Sequence, residues 1–303
     1  HSFPTRRSSD LSGTSASVAE NTATSTVVYT ATATDAESDT LSYTLTGTDA
    51  AAFAINATSG QVKLLSPADF ETQSSYSIIV NAKDATHTTT QALTLNVTDV
   101  NEAPSTISLS ASSVAENTST ASALTIGTLS SSDPDAGNTF SYSIVGGADQ
   151  ASFQISGATL QFKAGTALDY ETRSSYAVTV RSTDQGGLSY DKALTLNLTD
   201  ANDKPALTVP ASQSVTVGTT TALSGISVAD QDAGSNAIAV ALSASAGTLT
   251  ATSGGGVTVT GSGTASLSLA GSQSAINAFL SAGHVIYTPA VGASAGGTAT
   301  LTV

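Results

Sequence analysis

The chain has no cysteine, no methionine and no tryptophan, and only nine lysines and arginines among its 303 residues. Without cysteine no disulfide can staple a domain, and there is no thiolate for catalysis or soft-metal binding. The few cations face 23 acids, giving a formal net charge of −14 and a pI near 4.2. Nucleic acid is thereby excluded as a partner, because its phosphates would be repelled. No run of about 18 apolar residues occurs, so no segment reads as a membrane-spanning helix. His87 and His284 stand alone in sequence, which leaves no basis for a zinc site or a histidine-based triad. The run Gly292-Ala293-Ser294-Ala295-Gly296 fits G-x-S-x-G but lacks the strand-to-helix setting of a nucleophile elbow. Asp69 and Glu71 sit too close along the chain to flank a sugar, and no aromatic platform surrounds them. The chain is therefore read as not an enzyme.

What is present is repetition. Asp69-Phe70-Glu71-Thr72-Gln73-Ser74-Ser75-Tyr76 returns as Asp169-Tyr170-Glu171-Thr172-Arg173-Ser174-Ser175-Tyr176. Ser17-Val18-Ala19-Glu20-Asn21 returns at Ser113–Asn117, and Thr98-Asp99-Val100-Asn101-Glu102-Ala103-Pro104 returns as Thr199-Asp200-Ala201-Asn202-Asp203-Lys204-Pro205. Acids held in register at a fixed period indicate tandem domains with one chemical purpose. All the acids but Asp10, Asp49, Asp149 and Asp191 lie in or beside these motifs or their partial copies, whereas acids serving only solubility would be scattered.

The length fits about three domains of ~100 residues. Leu41, Tyr43 and Leu45 alternate with polar residues, as do Tyr76, Ile78 and Val80, then Leu93, Leu95 and Val97. The next hundred residues repeat the pattern at Phe140, Tyr142 and Ile144, at Tyr176, Val178 and Val180, and at Leu194, Leu196 and Leu198. Period-two alternation bounded by Asp, Asn, Gly and Ser predicts short antiparallel strands with one buried face. About seven such strands per ~100 residues predict an all-β protein of tandem Greek-key β-sandwiches arranged as a rod. The expected domains are 12–101, 102–202 and 203–303. In the third, Val209, Val215, Val217, Ile226 and Val228 read as strands, and residues 274–283 as one short helix that Gly283 stops. Its glutamate has become Val217 and no Asp-x-Glu follows, so it is a divergent sandwich. Residues 1–11 resemble a translated sequencing adapter and are set aside as a leader.

An acid near the start of a domain, an Asp-x-Glu in its middle and an Asp-x-Asn linker at its end can meet at one pole of a sandwich. Crowded carboxylates repel unless a cation neutralises them, and calcium takes 6–8 oxygens in irregular geometry. Singly, these Asp and Asn residues are also what hairpin turns favour; the doubled register speaks against that reading.

The set V-A-E-N, D-P-D-A-G-N, D-[FY]-E and T-D-x-N-[DE]-x-x-P resembles the cadherin repeat in its bacterial form, over roughly Ser12 to Pro205. That resemblance implies Ca2+ between successive domains. At the first junction it implies Glu20, Asp69 and Glu71 from one domain, then Asp99, Asn101 and Glu102 with the carbonyls of Val100 and Ala103 from the linker, and Asp133, Asp135 and Asp184 from the next domain. At the second it implies Glu116, Asp169 and Glu171, the linker residues Asp200, Ala201, Asn202 and Asp203, and Asp230 and Asp232. Glu102 and Glu37 stand where the family uses Asp, and no counterpart of Asp184 is evident in the third domain. Asp35, Glu37, Asp39 and Asp84 would form half of a further site. The function implied is a calcium-rigidified extracellular segment of a bacterial surface protein, acting in adhesion or as a spacer. Its partners would be calcium, neighbouring repeats of the same longer chain, and other cell-surface proteins or glycans. The alternative is a polysaccharide- or ligand-binding module of a secreted enzyme.

Overall fold

The computed structural model describes residues 13–35 and 38–303, so the leader and Glu37 lie outside the described residues. Two compact units emerge. One combines residues up to Ala111 with 125–162 and 177–194, and the other combines 112–124, 163–176 and 195–303.

In the first unit seven strands build a sandwich: β1 (Ser15–Ala19), β2 (Tyr29–Thr30), β3 (Ser42–Thr46), β4 (Phe53–Ile55), β5 (Gln61–Leu64), β6 (Ser75–Lys83) and β7 (Thr88–Thr98). One sheet runs β1-β7-β6-β3 and the other β2-β5-β4. The sequence alternation has a direct consequence here. Ile78 lies opposite Leu93 and Tyr76 opposite Leu95 in the β6–β7 ladder, so one face of the sheet is continuously apolar. That face packs with Val62 and Leu64 of the second sheet in a single core. The parallel pair β1–β7 positions the site. Ala19 pairs with Thr98, so Glu20 and Asp99 leave the sheet side by side, and the Glu20 N–H still donates to the Thr98 carbonyl at 3.1 Å.

The next strands are β8 (Thr106–Leu109), β9 (Ser113–Ala115), β10 (Leu124–Ser132), β11 (Ser141–Gly146), β12 (Phe153–Ser156), β13 (Thr159–Phe162), β14 (Ser175–Thr183) and β15 (Ser189–Thr199). Within the first unit β10 pairs with β8, β12 with β13 and β11 with β14, all antiparallel. Within the second, β9 runs parallel to the end of β15, with Ala115 opposite Thr199. Glu116 and Asp200 therefore emerge together as Glu20 and Asp99 do.

Two acids outside the motifs prove to be a structural pair. Asp49 and Asp149 each precede a 3-10 turn, and their Oδ2 atoms accept the N–H of Ser77 at 2.7 Å and of Ala177 at 2.9 Å. Two residues before each of these acids stands a glycine at positive φ, Gly47 at 104° and Gly147 at 101°.

The rest of the second unit has its own core. The strand Ala237–Ala244 pairs with Ser266–Ser272 and with Leu301–Thr302. Ser227–Ala229 carries Val228 as expected, but Val209, Val215, Val217 and Ile226 lie outside strands, and Val217 is 47% exposed. Without the Glu20/Glu116 side chain to bridge back to the rest of its domain, nothing at this position repeats the tie seen in β1 and β9.

The expected helix is α1 (Gln273–Ser281). Its N-terminus is capped by the Ser272 hydroxyl, which accepts the Ala275 N–H at 3.3 Å. Gly283 closes it with φ 72°. The Gly283 N–H reaches the Leu280 carbonyl and the His284 N–H reaches the Phe279 carbonyl, a Schellman pattern. The His284 and Phe279 rings, 4.9 Å apart, supply the contact that accompanies it.

At Gly147 an added Cβ would lie 2.5 Å from the Val178 Cα, whereas at Gly137 (φ 80°) nothing lies within 4 Å. Gly147→Ala is expected to cost about 3 kcal/mol and Gly137→Ala about 1 kcal/mol, as strain plus overpacking against strain alone. Denaturant melts of the two variants check this, and equal losses would contradict it.

Candidate metal centre

Each repeat begins its site with a buried glutamate. Glu20 and Glu116 are each only 3% exposed. Glu20 Oε2 accepts the Phe70 N–H at 2.9 Å and Oε1 accepts the Val100 N–H at 2.7 Å. Glu116 does the same with Tyr170 at 2.6 Å and Ala201 at 2.8 Å. One carboxylate thus ties the Asp-x-Glu loop to the linker. The asparagine that follows, Asn21 or Asn117, takes φ 56°, and its N–H caps Ala68 or Leu168. The side-chain amide then donates to the linker acid, Asn21 to Glu102 Oε1 at 2.8 Å and Asn117 to Asp203 Oδ1.

These ties gather two groups. One carboxylate oxygen from each of Glu20, Glu71, Asp99 and Asp135 lies within 4.8 Å of the others, and the same holds for Glu116, Glu171, Asp200 and Asp232. Around the first group, the Glu102 N–H donates to Asp135 Oδ2 at 2.7 Å, and Asp133 Oδ1 accepts the Asp135 N–H at 3.0 Å. Asn101 donates to Asp184 Oδ2 at 2.9 Å and to the Glu102 carbonyl at 3.1 Å. Around the second, Asp203 donates its N–H to Asp232 Oδ2, Asn202 donates to the Asp203 carbonyl, and Asp230 Oδ1 accepts the N–H groups of Asp232 and Ala233.

Asp69 and Asp169 are not in the groups of four. Each accepts the N–H and hydroxyl of Thr72 or Thr172 in its own loop, and Asp169 is also met by the Gln231 side chain. Asp35 and Asp39 meet each other, Asp39 N–H to Asp35 Oδ1 at 3.1 Å, and Asp84 accepts the N–H groups of Thr86 and His87. Among the described residues no third group of acids forms.

The sequence profile of the cadherin domain matches residues 14–98 and 110–218. The chain belongs to the cadherin family. It is 32% identical over 160 residues to human Protocadherin Fat 4, covering 50% of this chain and 3% of that protein. It is 29% identical over 197 residues to human Protocadherin gamma-C4, covering 61% of this chain and 21% of that protein. The chain therefore spans a small part of these relatives. In fold it resembles the first two extracellular domains of human Protocadherin-24, with TM-score 0.53 and 20% identity over 65% of this chain and all of that one. The Protocadherin GammaB4 extracellular domain gives TM-score 0.54 and 22% identity over 86% of this chain and 43% of that one. At such identities these two speak for the fold alone. Cadherin domains are calcium-binding adhesion modules rather than enzymes.

The cadherin side chains here fit such an ion. Asp133 Oδ2, Asp135 Oδ1 and Asp232 Oδ1 are buried with no hydrogen-bond partner, as is the Asn138 amide nitrogen. A buried carboxylate oxygen without a donor is costly, and a hard cation is the partner that oxygen prefers. Asn138 closes the Asp-Pro-Asp-Ala-Gly-Asn motif and was not among the expected ligands. Gly186 was also missed. A Cβ there would lie 2.2 Å from the Asn101 Oδ1, so only glycine lets Asn101 reach Asp184.

Desolvation, then the neighbouring charges of Glu20, Asp99 and Asp135, push the Glu71 carboxyl above its ordinary value. Glu171 is raised likewise, by desolvation and by Glu116, Asp232 and Asp200. Asp99 is raised by desolvation and by Asp135. For Asp184 desolvation pushes upward, but hydrogen bonds from Asn101 and from the Leu188, Gly187 and Gly186 N–H groups outweigh it and hold the group low.

A carboxyl raised on folding binds protons in the folded chain that the unfolded chain has already released. Its favourable effect is present at low pH and is lost as pH rises through the raised value. In chelator, Glu71→Gln is therefore expected to raise the melting temperature at pH 7 and to raise it less at pH 4. Thermal melts at the two pH values check this, and an equal shift at both would contradict it.

Proposed function

We propose that this chain is an extracellular adhesion segment whose repeats are stiffened by calcium at their linkers. The single observation that supports it most is the repeated group of four carboxylates, each group flanked by buried oxygens that no donor serves. At the first linker Glu20, Glu71, Asp99 and Asp135 would hold the ion, with Asp69, Asp133, Asp184, Asn101, Glu102 and the Val100 and Ala103 carbonyls beside them. At the second, Glu116, Glu171, Asp200 and Asp232 would do so, with Asp169, Asp230, Asn202, Asp203 and the Ala201 carbonyl. Bound calcium supplies the positive charge that four converging acids lack. The rest is done by the chain itself. Glu20 and Glu116 pin linker to loop, and Asn21 and Asn117 orient the linker acid.

In this reading residues 12–101, 102–202 and 203–303 are the successive domains. The cysteine-free, Thr-, Ser- and Ala-rich composition supports a place on a bacterial cell surface, with other surface proteins or glycans as adhesion partners. Cadherin homologues engage neighbouring repeats, so further repeats of the same protein are partners as well. The carbohydrate-module alternative needs exposed aromatics, and among the described residues Tyr190 alone is an exposed large aromatic.

Millimolar calcium is expected to raise the melting temperature by mass action, with dissociation constants of about 10⁻⁴–10⁻³ M. In calorimetric titrations Glu71→Ala should remove the heat of the first site and leave the second, and Glu171→Ala should do the reverse. Superimposable melts with calcium and with chelator would refute the proposal.

A further inference from the structure

The Asp230-Gln231-Asp232 loop follows the strand Ser227–Ala229 and is held from one side by α1. Gln273 and Asn277 are four residues apart and so share a helix face. Asn277 Oδ1 accepts the Val228 N–H at 2.9 Å, and its Nδ2 donates to the Val228 carbonyl at 2.8 Å. The amide thus pairs with that peptide as a neighbouring strand would. Gln273 Oε1 accepts the Asp230 N–H at 2.7 Å. The helix is a firm anchor. It is capped at both ends, and Ile276, Phe279 and Leu280 are buried in the same core as Val228.

From Gln273 the contacts continue in short steps. Asp230 Oδ1 accepts the Asp232 N–H, Asp232 Oδ2 accepts the Asp203 N–H, and Asp232 Oδ1 is the buried oxygen left without a donor. The first group is fixed differently. There Asp184, in the loop before β15, receives the amide of Asn101 at 2.9 Å, and the sequence shows no counterpart of Asp184 in the third domain.

We propose that Gln273 and Asn277 are positioning residues for the second carboxylate group. Through them the affinity of that group for calcium is coupled to the order of α1 and of the core beneath it. The proposal rests on the calcium reading above. Outer contacts that orient the ligands of a metal commonly change its affinity by about 10–100-fold, and coupling of this kind is reciprocal: what positions the ligands is itself steadied when the ion binds.

The test uses the full chain carrying Glu71→Ala, so that calorimetry with calcium alone reads the second group. Adding Gln273→Ala is expected to weaken binding about tenfold. Gln273→Glu keeps an oxygen for the Asp230 N–H and is expected to restore the affinity. Hydrogen exchange supplies the second readout. Calcium should increase protection of the α1 amides in the Glu71→Ala parent and leave them unchanged when Gln273→Ala or Asn277→Ala is added. If Asn277→Ala does not fold, as judged by circular dichroism, Gln273→Ala carries this arm. Unchanged affinity in Gln273→Ala, or a loss that Gln273→Glu fails to restore, overturns the positioning role while leaving the calcium reading intact. No calcium heat from the Glu71→Ala parent overturns the calcium reading at this group instead.

Discussion

One buried glutamate organises each of the two acidic groups, Glu20 in the first and Glu116 in the second. A carboxylate that is 3% exposed must find donors, and Glu20 and Glu116 find them in backbone N–H groups of two separate segments. The arrangement needs the parallel pairing of β1 with β7 and of β9 with β15, which brings the glutamate and the linker out of the sheet together. Antiparallel pairing of the same strands would send the two chain ends in opposite directions. The acidic site is thus a consequence of sheet topology before it is a consequence of charge.

Once the linker is pinned, repulsion follows. Desolvation, and then the neighbouring carboxylates held within 4.8 Å, raise the proton affinity of Glu71 and Glu171. The chain tolerates this because the groups around them are fixed by amide and backbone donors, which contribute partial positive charge without filling the space between the acids. Asp133 Oδ2, Asp135 Oδ1 and Asp232 Oδ1 stay buried without a donor. Crowded carboxylates of this kind are unfavourable alone, and a bound cation would offset their repulsion.

Much of this was legible in the sequence because strands have a period of two and the repeats share one register. Leu93, Leu95 and Val97 announce a buried face, and the recurring Glu20/Glu116, Glu71/Glu171 and Asp99/Asp200 announce a shared site. What stayed hidden was hidden for physical reasons. The sequence does not show that Asp69 also closes its own loop through the Thr72 N–H and hydroxyl. Asp49 and Asp149 recur at the same offset as the ligands, yet they tie 3-10 turns to β6 and β14. Val215 and Val217 alternate like a strand, but alternation cannot supply a partner strand, and they join no sheet. Gln273 and Asn277 are polar residues on a helix far along the chain from Asp230, and no spacing rule links them.

The two groups also show which parts of such a site can drift. Their donors to carboxylate are mostly main-chain N–H groups, from Phe70 and Val100 in one and Tyr170 and Ala201 in the other, so side-chain identity at those positions is free to change. The acids themselves are less free, since each supplies an oxygen at a defined reach. Between these extremes lie the supports. At the first group Asp184, beside Gly186, accepts the amide of the linker residue Asn101, and at the second Gln273 of α1 accepts the Asp230 N–H. A support need only present one acceptor or donor at the right place. Asp230 and Asp232 are thus held in place with neither an Asp-x-Glu nor an Asp184 counterpart after Pro205 in the sequence.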